Sequence, residues 1–440
     1  MTGASKWRTS EEIVSLFQRV GRALLLIDAE DSHSGNISMR FTDDRGRERM
    51  AITATGSQKG DLEPSHICIL SPAATDTGYY KASSETDVHA SILALPGARA
   101  SVHAHTKDLT IVTLDRDEKP SRPRPFVPID PLGWHRFGGQ VPVDWVEVPS
   151  GGTEMAKVIP ERLAEHPVTM IQGHGAFARG RTVEEAFHLI SVANHAGYVV
   201  RQAERIGLDV AGIRARIAAD LAAHFAHPPD PFTIGDDEVC EFPLEKEIVR
   251  EFRKAGARIF ESRLSPYHTG SLSVRGIRSL LYAPKAAMPR ELPGPLREIP
   301  LAPDPADSRE LAIHKAIYAA GNFQTIAHCW VPEAEVAAWH APAGGELPTR
   351  LVPIDAEGSF LYLVVPILPP DAPVGRLADL LHDYKVAIVR GGGVWGAGMQ
   401  SLSEVLHHPS SVREICLYRF GAVERGLDLA KLEPAKARTW

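Results

Sequence analysis

Two histidines, His103 and His105, stand one residue apart in ASVHAHT (100–106). The stretch alternates as a β-strand does, and alternate side chains of a strand project to one face, so both imidazoles can reach one ion. Catalytic zinc commonly takes three protein ligands and keeps a further position open for water or substrate. The third candidate is His174, set between Gly173 and Gly175 after the strand-like VTMIQ. Flanking glycines permit the sharp turn that brings an imidazole close to a neighbouring strand. Among 19 histidines, a His-x-His pair by itself is ordinary, and the pair gains meaning only from what surrounds it. Glu85 opens a helix, where a carboxylate by itself is simply a partner for the helix dipole. His89 follows on the same helix face and reads as a core histidine rather than an orienter of Glu85. Ser83 and Ser84 are capping residues at a helix start, a place that also offers unpaired N–H groups to anions. SGNIS (34–38) and TATG (53–56) add hydroxyls, an amide and glycines where backbone can approach a ligand, although turns account for most such glycines.

The elements that must position these residues are legible in the periodicity. EEIVSLFQRVGRALLLID (11–28) carries apolar residues at helical spacing and opens after Thr9 and Ser10, both good caps. NISMRF alternates as a strand, and MAITA follows the turn-like DDRGRER. Ser84 to Asp87 resembles a capping box, starting a helix that runs to about Leu95 before Pro96-Gly97 ends it. ASVHAH and VTMIQG are strands, and Thr182 with Glu185 caps a closing helix along VEEAFHLISVANHAGYVVRQAE. Strands that follow one another without regular βαβ alternation predict a three-layer α/β fold, a mixed or antiparallel central sheet with helices on both faces.

The chain also repeats itself. SGNISMR (34–40) is echoed by TGSLSVR (269–275), and ETDVHASILALPGARASVHAHT (85–106) by ELAIHKAIYAAGNFQTIAHCW (310–330). VTMIQGHGAFARGRTVEEAFHLI (168–190) is echoed by VAIVRGGGVWGAGMQSLSEVLHH (386–408). Three blocks in one order predict two tandem copies of the same fold. AHPPDPFTIGDDE (226–238) reads as the linker, giving domains at 1–226 and 239–440. In the second copy His103 is matched by His328 and Glu85 by Glu310. His105 falls on Trp330, His174 on Gly392, Ser84 on Arg309 and Asn36 on Ser271, while residues around YAPKA (282–286) replace TATG. One histidine and one carboxylate rarely retain zinc, so the second copy is expected to hold no metal.

Composition narrows the function classes. The net charge of −7 and the absence of any long Lys/Arg run argue against a nucleic-acid surface. The four cysteines are far apart and fit neither a disulfide framework nor a zinc ribbon. The amino terminus lacks a signal pattern, and the longest apolar run, FLYLVVPIL (360–368), is too short to span a bilayer. The expectation is a cytoplasmic protein with no membrane partner.

In order, GNxSxR, TxxG, SSE with a following His, HxH and a later HG resemble the class II aldolase/adducin family, over all of residues 1–226. The resemblance implies a zinc site on His103, His105 and His174, with Mn2+, Co2+ or Fe2+ as alternatives. It implies Glu85 as the acid/base that can also touch the metal, and phosphate contacts from Gly35, Asn36, Thr55, Gly56, Ser83 and Ser84. The activity implied is that of a metal-dependent lyase cleaving or forming a C–C bond in a small, phosphorylated or otherwise anionic hydroxyketone, through a zinc-stabilised ene-diolate. Dehydratases and decarboxylases of the same family are the alternatives within it, and a non-catalytic adducin-like interaction protein is the alternative outside catalysis. Family aldolases are tetramers, which implies a homo-oligomer here, a dimer of two-domain chains. Two departures stand out: Ala54 replaces the family's frequent proline, and RPFVPIDPLGWHRFGG (124–139) holds no tyrosine to match the aldolases' own.

Overall fold

The computed structural model describes residues 10–31, 33–71, 81–114, 124–147, 153–219, 221, 246–290, 296–341, 345–435 and 437. The stretch expected as a linker, 226–238, lies outside them, as does Thr9. The chain divides into two compact units, Met1–Pro128 with Gly133–Tyr198, and Ile129–Leu132 with Val199–Trp440.

The first unit is built on a seven-stranded sheet. Its strands are β1 (Asn36–Thr42), β2 (Glu48–Thr53), β3 (Ile67–Leu70), β4 (Ala100–Ala104), β5 (Val143–Asp144), β6 (Val168–Ile171) and β7 (Gly175–Gly180). They lie in the order β3-β2-β1-β4-β7-β6-β5, antiparallel except for the β5–β6 pair. Helices α1 (Ser10–Leu26), α2 (Thr86–Leu93), α3 (Lys107–Thr113), α4 (Pro131–Phe137), α5 (Met155–Glu165) and α6 (Val183–Arg205) accompany it, and the division between units falls within α6. Every residue of β4 is buried, as its place between β1 and β7 requires. Val88 and Ile92 of α2 pack with Met155, Ile159 and Leu163 of α5 and with Phe177 of β7, so these two helices cover one sheet face. Each fully buried side chain of this size contributes about 1.5–3 kcal/mol.

The second unit repeats that order. After α7 (Val210–Ala219) and α8 (Lys246–Glu261) come β8 (Ser271–Arg275), β9 (Ser279–Pro284), β10 (Arg297–Pro300), β11 (Thr325–Cys329), β12 (Arg350–Leu351), β13 (Val365–Leu368), β14 (Val386–Val389) and β15 (Gly393–Gly398). The sheet runs β10-β9-β8-β11-β15-β14-β13-β12, again with one parallel pair, β13–β14. Apart from the added edge strand β12, order and pairing senses are those of the first sheet. Registers agree as well: Asn36, His103 and Phe177 form one cross-sheet row, and Ser271, His328 and Trp395 form its counterpart. Helices α9 (Arg309–Ala320), α10 (Pro332–Trp339), α11 (Ala356–Leu361), α12 (Val374–Tyr384), α13 (Leu402–Glu424) and α14 (Leu429–Leu432) complete the unit. Trp395 points into a core shared with α9 and α12, and its neighbour Gly396 meets His408 of α13, which places helices on both faces. Among the described residues, no helix is long and apolar enough to cross a membrane.

Two expectations about local structure need correction. Glu85 itself is the N-cap of α2 and makes no side-chain capping bond, so the capping box at Ser84–Asp87 does not form. The Ser83 hydroxyl takes the local role instead, accepting from the Glu85 N–H at 3.2 Å. The helix also ends at Leu93 rather than Leu95. At α6 the Thr182 hydroxyl accepts from the Glu185 N–H, but the Glu185 carboxylate turns to the N–H of Arg181 at 2.6 Å rather than to that of Thr182.

Candidate metal centre

His103 sits near the end of β4 with its ring stacked on Phe177, centroids 3.9 Å apart. Its Nδ1 lies 3.0 Å from the carbonyl oxygen of Ala176. A carbonyl only accepts, so Nδ1 carries the ring proton and Nε2 presents a lone pair. That Nε2 is buried and has no hydrogen-bond partner among the described residues. It faces Oε2 of Glu85 at 3.7 Å. Two buried acceptors confronting each other are at rest only with a cation or a proton between them.

His105 follows just past the end of β4, and His174 lies in the tight turn joining β6 to β7. The turn needs its glycines. Gly173 takes φ +71°, and a Cβ on Gly175 would stand 2.5 Å from the Ala104 carbonyl oxygen and 2.8 Å from Cε1 of His103. With that space left open, the His174 ring stacks on His103 at 4.6 Å and lies 4.9 Å from His105. One ligand atom from each of the three histidines lies within 4.8 Å of the others. Burial pushes His103 well below the usual imidazole range and, with the neighbouring His174, lowers His105 as well. The neutral ring is the form that ligates a metal. Three converging imidazoles, an orphaned buried lone pair and a cradle that a Cβ would fill together fit a divalent ion.

Glu85 is 4% exposed and adjoins this cluster. Its Oε1 lies 3.0 Å from Nε2 of His174, and its Oε2 accepts from the Asn36 amide at 2.6 Å. Burial would raise this carboxyl, but His103, His174 and the Asn36 bond outweigh it and hold the group well below the usual range. Asn36 is oriented in turn. Nε2 of His89 bonds its Oδ1, and the Ser38 hydroxyl bonds Nδ1 of His89 at 2.6 Å. Burial lowers His89 to about 4, so the ring is neutral, with one nitrogen donating and the other accepting. His89 is thus a buried core histidine, and through Asn36 it also settles which end of that amide meets Glu85.

The remaining expected site residues gather around the same place. The Asn36 amide also reaches the Ser83 hydroxyl at 3.1 Å. Ala54 bridges Ala82, and the Thr55 N–H bonds the Lys81 carbonyl at 3.0 Å, which lays Thr55 and Gly56 beside the segment leading to Ser83 and Ser84. Gly56 turns at φ +67° and Gly35 at φ +69°. Ser83 is buried, whereas Ser84, the next residue, is exposed.

Three supporting residues escape a reading of the sequence. Phe177 forms the stacking partner of His103, and only strand pairing reveals it. Glu30, buried, lies against Gly35 on the side where a Cβ would point. Lys59, also buried, sends its ammonium to the carbonyls of Ser57 at 2.7 Å and His33 at 3.3 Å, tying the two glycine-bearing loops together. Burial raises the Glu30 carboxyl and lowers the Lys59 ammonium, each partly offset by the other. A glutamate and a lysine in loops give no sign of burial in one dimension.

Several known proteins are similar to this chain. Methylthioribulose-1-phosphate dehydratase of Leptospira biflexa is 27% identical over 169 residues, covering 35% of this chain and 79% of the relative. Among solved structures, L-fuculose-1-phosphate aldolase from Thermus thermophilus is 28% identical with a TM-score of 0.37, covering 43% of this chain and 92% of that one. A sugar-phosphate aldolase from Thermotoga maritima is 21% identical with a TM-score of 0.39, covering 45% and 97%. Residues 16–199 match the Class II Aldolase and Adducin N-terminal domain. Residues 16–199 thus form a domain of the class II aldolase and adducin family.

Proposed function

We propose that the first domain is a metal-dependent lyase acting on a small, phosphorylated hydroxyketone, with His103, His105 and His174 as metal ligands and Glu85 as the acid/base. The observation that carries this reading is the orphaned lone pair of His103 facing the Glu85 carboxylate inside a three-histidine cluster. A bound divalent ion, zinc by preference, supplies Lewis-acid polarisation of the substrate's carbonyl and hydroxyl oxygens. Glu85 transfers the proton at its carboxylate oxygens. Asn36, kept in one orientation by His89, fixes the direction of that carboxylate. Phe177 closes the floor beneath His103 against water. Gly35, Thr55, Gly56, Ser83 and Ser84 hold the substrate's anionic end with backbone N–H groups and hydroxyls, and Asn36, whose side-chain amide serves Glu85 and Ser83, borders that end.

Two reactions fit this arrangement: aldol cleavage, in which the β-hydroxyl loses its proton, the C–C bond breaks and Glu85 would return a proton to the freed α-carbon, and dehydration, in which Glu85 would take the α-proton and the β-hydroxyl leaves as water. The dehydratase reading is favoured by the 27% identity to the Leptospira enzyme, and the C–C lyase reading by the ordered motifs of residues 1–226. The test is metal analysis of the purified chain, followed by turnover of L-fuculose 1-phosphate and methylthioribulose 1-phosphate, with Glu85→Gln as control. Stoichiometric metal with turnover of one substrate supports the proposal and chooses the reaction. A chain without stoichiometric metal supports the adducin-like, non-catalytic alternative.

The second domain serves in this reading as a structural partner for the first, in a dimer of two-domain chains within the cytoplasm. Molar mass in solution tests the assembly, and a monomer or a tetramer of chains counts against it.

A further inference from the structure

We propose that Lys59 makes the first domain selective for a phosphate dianion, acting from beneath the two glycine-bearing loops as a buried counter-charge. The inference rests on the reading of Gly35, Thr55 and Gly56 as the anion site, and adds the charge that this site asks of its substrate.

Lys59 is 1% exposed, a rare place for a lysine. Its Nζ meets three acceptors: the Ser57 carbonyl at 2.7 Å, the His33 carbonyl at 3.3 Å and the Ser57 Oγ at 3.4 Å. The Ser57 hydroxyl gives its own proton to the Ala54 carbonyl at 2.8 Å, so it too accepts from Lys59. Only the ammonium, with three N–H donors, serves three acceptors, whereas a neutral amine would turn a lone pair on one of them. The side chain is therefore a buried cation. Its support lies outside the loops. Lys59 opens a single 3-10 turn, Lys59–Asp61, and a Cβ on Gly21 of α1 would stand 2.1 Å from the Lys59 carbonyl oxygen. Gln18 of α1 donates to the Leu62 carbonyl at 2.6 Å. Helix α1 thus fixes where the charge sits.

Buried charges are normally paired. Among the described residues Lys59 forms no ion pair, and Glu30 and Asp31 act on it only through space. Burial holds Glu30 toward its uncharged form. Asp31 is exposed, and its Oδ1 is taken by the N–H groups of His33 and Ser34 at 2.7 and 2.6 Å. The cation is left without a buried anion in contact. His33 precedes Gly35 by two residues and Ser57 directly follows Gly56, so the ammonium lies on the order of 10 Å or less from both glycines. At that range, through protein rather than water, one charge changes the affinity of a dianion by roughly 10–100-fold and that of a monoanion by roughly 3–10-fold. All three donors are spent on the loops, so Lys59 is a positioning residue that acts through its field and the loop backbones without touching substrate.

The test is calorimetric titration of the purified chain with methyl phosphate, comparing wild type with Lys59→Met, Lys59→Gln and Lys59→Arg. Each is repeated in a His105→Ala background, which keeps the metal from holding the phosphate. Wild type and His105→Ala are expected to bind alike. The two neutral variants are expected to bind roughly 10–100-fold more weakly, and Lys59→Arg, which keeps the charge, to stay within about threefold of wild type. Lys59→Gln still offers N–H donors, so it separates the charge from the hydrogen bonds. Thermal unfolding shows which variants are folded, and either neutral variant suffices if the other is not. No binding by wild type, binding lost in His105→Ala alone, wild-type affinity in Lys59→Gln, or a loss in Lys59→Arg as large as in Lys59→Met overturns the proposal. Metal content is measured separately. A chain that binds methyl phosphate through Lys59 but holds no metal defeats the lyase reading alone, and a metal-loaded chain indifferent to methyl phosphate defeats this inference alone.

Discussion

The Nε2 of His103 and the Oε2 of Glu85 face each other at 3.7 Å, and no hydrogen bond joins them. The carbonyl of Ala176 has claimed the ring proton of His103, and the Asn36 amide has claimed one side of the carboxylate. What remains is a lone pair opposite a negative oxygen in a buried place. The metal and acid/base roles proposed for the first domain follow from that confrontation.

Metal affinity should depend on the three histidines far more than on the acid. His103→Ala, His105→Ala and His174→Ala are each expected to weaken metal binding by at least about 100-fold, since even outer partners of a ligand are worth 10–100-fold. Glu85→Gln should keep its metal and lose turnover. Plasma mass spectrometry of dialysed protein checks both halves, and retention of metal by two of the alanine variants would refute the ligand set.

The chain Ser38–His89–Asn36–Glu85 should position the acid without touching metal. Asn36→Ala and His89→Leu are expected to lower kcat by roughly 10–100-fold, which corresponds to the 1.5–3 kcal/mol of a hydrogen bond to a charged group. Metal content should stay at the wild-type level. The split between kcat and metal content is the informative measurement, because a merely folding-defective variant would lose both.

Gly175 should be intolerant of any side chain. A methyl group there meets the Ala104 carbonyl at 2.5 Å and the His103 ring at 2.8 Å. Gly175→Ala is expected to cost about 1–3 kcal/mol, as overpacking does, and to weaken metal binding because His103 must move. Thermal unfolding with and without added zinc checks it. A variant as stable as wild type in both conditions would show that the turn has room.

Glu335 of α10 should make the protein less stable toward alkaline pH. Burial raises its carboxyl to about 7, against the bonds from the Trp339 indole and the Gly391 N–H, with Asp130 raising it further and Arg390 opposing. Its folded value therefore exceeds the unfolded one. Between about pH 4.5 and 7 the folded state keeps a proton that the unfolded state releases, so stability falls as pH rises through that window. Glu335→Gln is expected to gain about 2 kcal/mol at pH 8 relative to wild type and almost nothing at about pH 5. Denaturant unfolding of both proteins at the two pH values measures the difference, and an equal effect at both would remove the titration from the explanation.

The amino-acid sequence by itself determined the elements and the candidate cluster. The alternation in ASVHAHT and NISMRF, the helical spacing after Glu11 and the doubled blocks are local or repeated patterns, and local patterns survive in one dimension. The convergence of His103, His105 and His174 was legible because alternate strand residues share a face and the ordered motifs resemble those of a known family. Only the tertiary structure decided the rest. It put Phe177 beneath His103, because strand pairing joins residues far apart in the chain. It drew Lys59 and Glu30 into the interior beneath two loops, which composition would leave in water. It replaced the expected capping box at Glu85 with bonds to Asn36 and His174, since a carboxylate beside buried donors serves them before its own helix.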